Sequence, residues 1–138
     1  MKLLPLLLTV CASFFLTSCS DDKKGDQFAS DFISEMEKFP TIIGSITDSA
    51  STDQAVKDID ALAARIEELA ADHKSTRVSK SKDKEIQSRV EAAMTPIGAD
   101  VDAAMIKLGS MPEVTEADML KIANASEDFG NRLMAIDQ

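Results

Sequence analysis

The chain has no tryptophan, no tyrosine and a single histidine, His73. Each scarcity excludes a class of chemistry. Beyond residue 20 the aromatic residues are Phe28, Phe32, Phe39 and Phe129, a thin set for stacking on nucleic-acid bases. One histidine cannot supply the repeated Glu-x-x-His motif of a di-iron bundle. Neither an H-E-x-x-H motif nor EF-hand spacing occurs. His73 closes a helical stretch, where such a residue complements the helix dipole. The carboxylate pairs Asp58/Asp60, Glu67/Glu68 and Asp100/Asp102 are one or two residues apart. On a helix such neighbours point to different faces, so they read as solvated groups rather than an acid/base pair. No catalytic residue, metal ligand or cofactor is assigned.

Positive charge is also scarce. Against 24 acidic residues there are 15 lysines and arginines, a net charge of −9. Such a surface repels nucleic acid and anionic lipid. A macromolecular partner held by charge should therefore be cationic. The local exception is Lys74, Arg77, Lys80, Lys82 and Lys84, with Asp83 the acid among them.

Long hydrophobic runs are absent except at the start. Met1-Lys2 is basic, Leu3 to Leu16 is predominantly apolar, and Thr17-Ser18-Cys19 follows. A transmembrane helix needs about 20 apolar residues, so this shorter run reads as a targeting segment. Leu16-Thr17-Ser18-Cys19 resembles the lipobox of bacterial lipoprotein signal peptides. Cys11 does not fit the pattern, because Val10 precedes it where a small residue is wanted. The resemblance covers residues 1–19. It implies removal of residues 1–18 and a diacylglyceryl thioether on Cys19, usually with an N-acyl chain. Two or more acyl chains make such anchoring stable. It also implies that no disulfide can form, since Cys11 leaves with the leader. By analogy with enterobacterial lipoproteins, Ser20 rather than Asp favours the outer over the inner membrane.

Residues 20–26 (SDDKKGD) are polar and read as a short tether. Beyond them, apolar residues recur at steps of three and four, the signature of amphipathic helices. The first stripe, which begins in 27–49, is Ala29, Phe32, Met36, Phe39, Ile43, Ile46 and Ala50. Pro40 falls inside it and predicts a kink. The second helix, 52–74, carries Ala55, Ile59, Leu62, Ile66 and Leu69, with Ser51 and Gln54 as its capping box. Residues 75–81 are a polar loop. The third helix, 82–109, carries Ile86, Val90, Ala93, Ile97, Val101, Ala104 and Leu108, with a kink at Pro96 and a left-handed cap at Gly109. Thr115 caps the fourth, 116–136, which carries Met119, Ile122, Ser126, Phe129, Leu133 and Ile136. Val114 and Met119 are spaced as a hydrophobic staple.

The expected fold class is all-α: an antiparallel up-down four-helix bundle with proline-kinked first and third helices. The expected organisation is a signal peptide at 1–18, an acylated Cys19 and tether through residue 26, and the bundle over 27–138. The first helix would leave the membrane and the second return, setting loop 75–81 beside the anchor. Its basic residues could then meet anionic headgroups. Six methionines follow Met1. Thioethers suit Cu(I), but stripe positions such as Met36 and Met119 favour core packing.

The leading functional reading is a membrane-anchored, non-enzymatic envelope lipoprotein, an adaptor whose partner is another envelope protein. A second is an acidic inhibitor or immunity-type protein against a cationic enzyme or toxin. A third is a carrier of a small apolar ligand or a metal, which a cavity near Met36, Met94 and Ile97 would favour. Oligomeric state is left open.

Overall fold

The computed structural model describes residues 22–136, which form helices and their connections, with no strand among them. The leader and Cys19 lie outside the described residues. The elements are α1 (22–36), α2 (Lys38–Gly44), α3 (Ser49–Lys74), α4 (Lys80–Gly109) and α5 (Glu116–Ile136). The chain is an all-α bundle.

Local chemistry explains the boundaries, and in several places moves them from the sequence expectation. α1 and α2 are separated only by Glu37, whose own torsions are helical (φ −63°, ψ −18°). Pro40 has no N–H to offer the Met36 carbonyl, so a rung of the hydrogen-bond ladder is missing beside Glu37. α4, by contrast, passes Pro96 as one helix. α3 starts earlier than the Ser51–Gln54 pair suggested. Asp48 is its cap: its carboxylate accepts the Ser51 N–H at 2.8 Å, and Ser51 Oγ accepts the Asp48 N–H at 2.9 Å. An ionised acceptor also complements the positive end of the dipole, which a serine cap does not. Ser79 caps α4, so the loop is 76–79 plus the turn at Ser75. The left-handed cap expected at Gly109 is absent. Gly109 is the last helical residue, Ser110 stays right-handed, and no described residue has positive φ. α5 begins as expected, with Thr115 Oγ accepting the Asp118 N–H at 3.2 Å and Asp118 Oδ2 accepting the Thr115 N–H at 3.1 Å.

The expected stripes supply the core. Met36, Phe39, Ile43 and Ile46 from the first run bury against Ala55, Ile59, Leu62 and Ile66 of α3 and Ile97, Leu108, Ile122 and Phe129 of the later helices. Phe39 and Phe129 stack with centroids 4.6 Å apart. Val114 and Met119 are half-buried against this core. The stripes shift at their ends: Ala50 is exposed, and Ala70 is buried where Leu69 is only half-buried. Ser126, the polar step in α5, has a buried Oγ with no hydrogen-bond partner among the described residues.

The closest partners are not sequence neighbours. α3 packs most extensively on α5, and α2 on α4. Lys121 of α5 meets Asp53 of α3 at 2.6 Å, and Arg132 meets Asp60 at 2.6 Å and Glu67 at 2.7 Å. Both helices thus advance together, side by side and in the same direction. Ala63 of α3 and Ala125 of α5 face the same crevice, and small side chains there let the two axes approach.

Asp118 locks the start of this pair. It is 2% exposed, and its carboxylate accepts Ser49 Oγ of α3 at 2.6 Å as well as Thr115 Oγ at 2.7 Å. The Ser49 bond foremost, then those from Thr115, hold its pKa down from 3.8 to about 2. The unfolded chain therefore binds the proton more readily, and stability falls as acid is added across this window. Chemical denaturation between pH 4 and pH 2 should show a loss of stability that Asp118→Asn makes shallower; parallel curves for the two proteins would refute this assignment.

Candidate functional site

The corner where α1 starts gathers most of the features singled out in the sequence. Residues 22–26, read as tether, are the first turns of α1 and are docked. Asp22 accepts the Ser79 N–H at 2.9 Å and the Ser79 Oγ at 3.1 Å. Ser79 Oγ in turn accepts the Lys82 N–H at 3.3 Å as the cap of α4. Asp26 receives Lys82 Nζ at 3.2 Å and Arg89 at 3.0 Å. Gly25 is buried between them. A Cβ there would lie 2.6 Å from Ile86 Cδ1 and 2.9 Å from Val78 Cγ1, so the absent side chain is what lets α1 lie against α4. The tether reading failed because polar residues on a first helical turn look like linker when their acceptors and donors are more than fifty residues away in sequence.

The basic residues divide in this setting. Lys82 is half-buried and committed to Glu85 and Asp26, which in that order raise its pKa. Lys74 at the end of α3, Arg77 in the loop, and Lys80 and Lys84 in the first turns of α4 are exposed. Lys80 follows Ser79, the residue that holds Asp22, and Lys74 lines the adjoining groove.

Beside it opens a groove of about 640 Å³ between α1, the end of α3, the first half of α4 and the end of α5. Its apolar lining includes Phe28, Phe32, Val90, Met94, Leu133 and Ile136, all half-buried. Lys74, Asp83, Gln87 and Glu91 supply polar groups along it. Of the three residues beside which a cavity would favour the carrier reading, Met94 lines the groove, whereas Met36 and Ile97 are buried in the core.

His73 also lines the groove and does not act as a charged helix terminus. Its ring stacks on Phe28 with centroids 4.1 Å apart and planes at 5°. Burial lowers its pKa from 6.5, against the opposing charge of Asp83. The imidazole is therefore neutral near pH 7, with Nδ1 buried and without a partner among the described residues. It packs rather than complementing the dipole.

Four of the six carboxylates weighed in the sequence are taken up in structural pairs, while Asp100 and Asp102 are exposed on α4. Asp58 accepts from Gln54 at 2.8 Å, and Glu68 from Arg65 at 3.1 Å. Asp60 and Glu67 both receive Arg132, whose two-pronged contact with Glu67 (2.7 and 2.8 Å) lowers the Glu67 pKa. Arg132 went unnoticed in the sequence. Its signal is an arginine beside the apolar Leu133 in a helix otherwise poor in cations. Among the described residues no cluster of three or more His, Cys, Asp or Glu could hold a metal ion, and no helix is long and apolar enough to cross a membrane.

The chain matches no family model, no curated protein and no solved structure. The corner and its groove are therefore interpreted from their own chemistry.

Because His73 releases its proton on folding, the unfolded chain binds more protons below the ordinary histidine pKa, and stability falls as pH drops through that range. Urea midpoints measured from pH 7.5 to pH 5 should decline, and His73→Phe should flatten the decline. An unchanged slope in that variant would mean that the imidazole is not what titrates.

Proposed function

We propose that this chain is a bacterial envelope lipoprotein, tethered by lipid on Cys19 and acting as a non-enzymatic interaction module for another envelope protein. The observation that carries the reading is the fastening of Asp22 to Ser79. Cys19 is three residues before Asp22, and three extended residues reach about 10 Å. An acylated Cys19 would bring the corner with Lys74, Arg77, Lys80 and Lys84 to the bilayer. The docked α1 leaves no long tether, so the domain would sit on the membrane rather than away from it. Ser20 favours the outer membrane, facing the periplasm.

The same proposal includes the finer architecture. Side-by-side α3 and α5, and α1 running along α4 from Asp22–Ser79 to Ser30–Arg89, support up-and-down connectivity; bends at Pro40 and Pro96 are part of the proposal. The chain's strong negative charge and the local positive corner together support a fixed orientation. Anionic lipid would attract the corner and repel the rest.

A second reading is favoured by the groove. Its volume falls within the range of small-molecule sites, about 300–1,000 Å³, and its lining is mostly apolar. This supports a carrier of a small apolar ligand, held by the same anchor.

Metabolic palmitate labelling of cells expressing wild type and Cys19→Ala should label wild type alone, and fractionation should move the variant out of the outer membrane. An unlabelled wild-type protein overturns the lipoprotein reading. The orientation is tested separately. Reversing Lys74, Arg77, Lys80 and Lys84 to glutamate in the Cys19→Ala chain should weaken its binding to phosphatidylglycerol vesicles by about a thousand-fold, each basic residue near such a surface being worth about 1 kcal/mol. Equal binding by both proteins refutes the orientation.

A further inference from the structure

We propose that the groove between α1 and α4 and the ends of α3 and α5 binds the tail of a long-chain fatty acid, with the carboxylate at the basic corner. The proposal rests on the carrier reading and names its ligand class. Three features of the groove support it.

The first is shape. The α4 wall runs from Asp83 to Met94, about 17 Å along the helix axis. An apolar wall of that length matches an extended methylene chain better than a compact ring system. Met94 and Leu133 are flexible or branched aliphatic groups, and methionine adapts its shape to irregular partners. Phe28 and Phe32, tilted at 43° with centroids 5.7 Å apart, form the opposite wall.

The second is incompleteness. The groove is bordered by residues that elsewhere in the bundle would be covered. Met134 is 62% exposed, and Leu133 and Ile136 are only half-buried. The core is filled at the other end, around Ile43, Ile46, Ile59 and Leu108. α4 and α5 are joined there by residues 110–115, and the start of α4 and the end of α5 both line the groove. An apolar tail laid between them would remove this surface from water.

The third is charge. The molecule as a whole is acidic at −9, yet the mouth is basic. Lys74 lines the groove together with Asp83, and on α4 Lys80 lies one turn before Asp83 and Lys84 one turn before Gln87, beside that lining. Lys82 is neutralised by its own partners, Asp26 and Glu85. The surplus is positive and selects an anionic head. Glu91 stands about two helical turns further along α4, exposed, where only the uncharged tail would pass. The fatty acid is thus oriented: head at the corner where α1 begins, tail towards Met94.

Titration of the full-length protein with a fluorescent polyene fatty acid, followed by displacement with palmitate, tests this. Saturable one-to-one binding is expected. Met94→Lys, which places an ammonium in the tail path, should weaken it at least tenfold. Lys74→Glu with Lys80→Glu, exposed changes that leave the core intact, should weaken palmitate several-fold and leave hexadecanol unchanged. Helical content by circular dichroism verifies that each variant is folded. Hexadecanol binding as well as palmitate, with no effect of the lysine reversals, overturns the fatty-acid assignment while the carrier reading stands. Failure of both ligands to bind overturns both. Binding that Met94→Lys does not alter places any ligand elsewhere and overturns the proposal.

Discussion

Everything in this bundle is built on the broad inward face of α3. Thr52, Ala55, Ile59, Leu62, Ala63, Ile66 and Ala70 are buried along it, more than a single narrow stripe provides. A face that wide can take a neighbour on each flank, and it does: α5 on one side and α2 on the other. Isolated amphipathic helices of this kind are marginal in water and gain their stability from packing. α2, at seven residues, could not persist alone. It is held because Phe39 and Ile43 insert into the core beside Phe129.

The polar contacts then decide which arrangement of those helices is adopted. Buried Asp118 ties the starts of α3 and α5, and Arg132 ties their further turns. Asp22 and Asp26 tie α1 to the start of α4. Apolar faces are permissive about rotation and register, whereas a carboxylate that needs particular N–H and O–H donors is not. The same ties shape the corner where α1 begins. Drawing α1 onto α4 at one end while residues 110–115 join α4 to α5 at the other leaves the opening lined by Phe28 and Met94. A groove and a basic mouth thus arise from where ion pairs pull the helices, rather than from a separate binding motif.

Much of the core was legible residue by residue. Ile59, Leu62, Ile66, Ile97, Leu108, Ile122 and Phe129 were all marked by their spacing and are all buried. The start of α5 at Thr115 was equally plain, because its cap is local. The misreadings have two causes, one local and one long-range. Asp48 was overlooked as a cap because Ser51 fits the same motif and only the backbone geometry separates them. Asp22 to Asp26 looked like linker because their partners, Ser79, Lys82 and Arg89, are distant in sequence. His73 looked like a dipole partner because nothing local reveals that Phe28 stacks on its ring.

Periodicity by itself determined that the chain is helical and which side of each helix turns inward, since both follow from 3.6 residues per turn and the exclusion of apolar side chains from water. Only the tertiary structure decided that α3 lies along α5, that the polar start of α1 is docked rather than loose, and that an apolar groove opens beside a basic corner. These depend on donors and acceptors meeting across 56 to 72 residues of sequence. An amphipathic pattern specifies a face but carries no information about whose face will cover it.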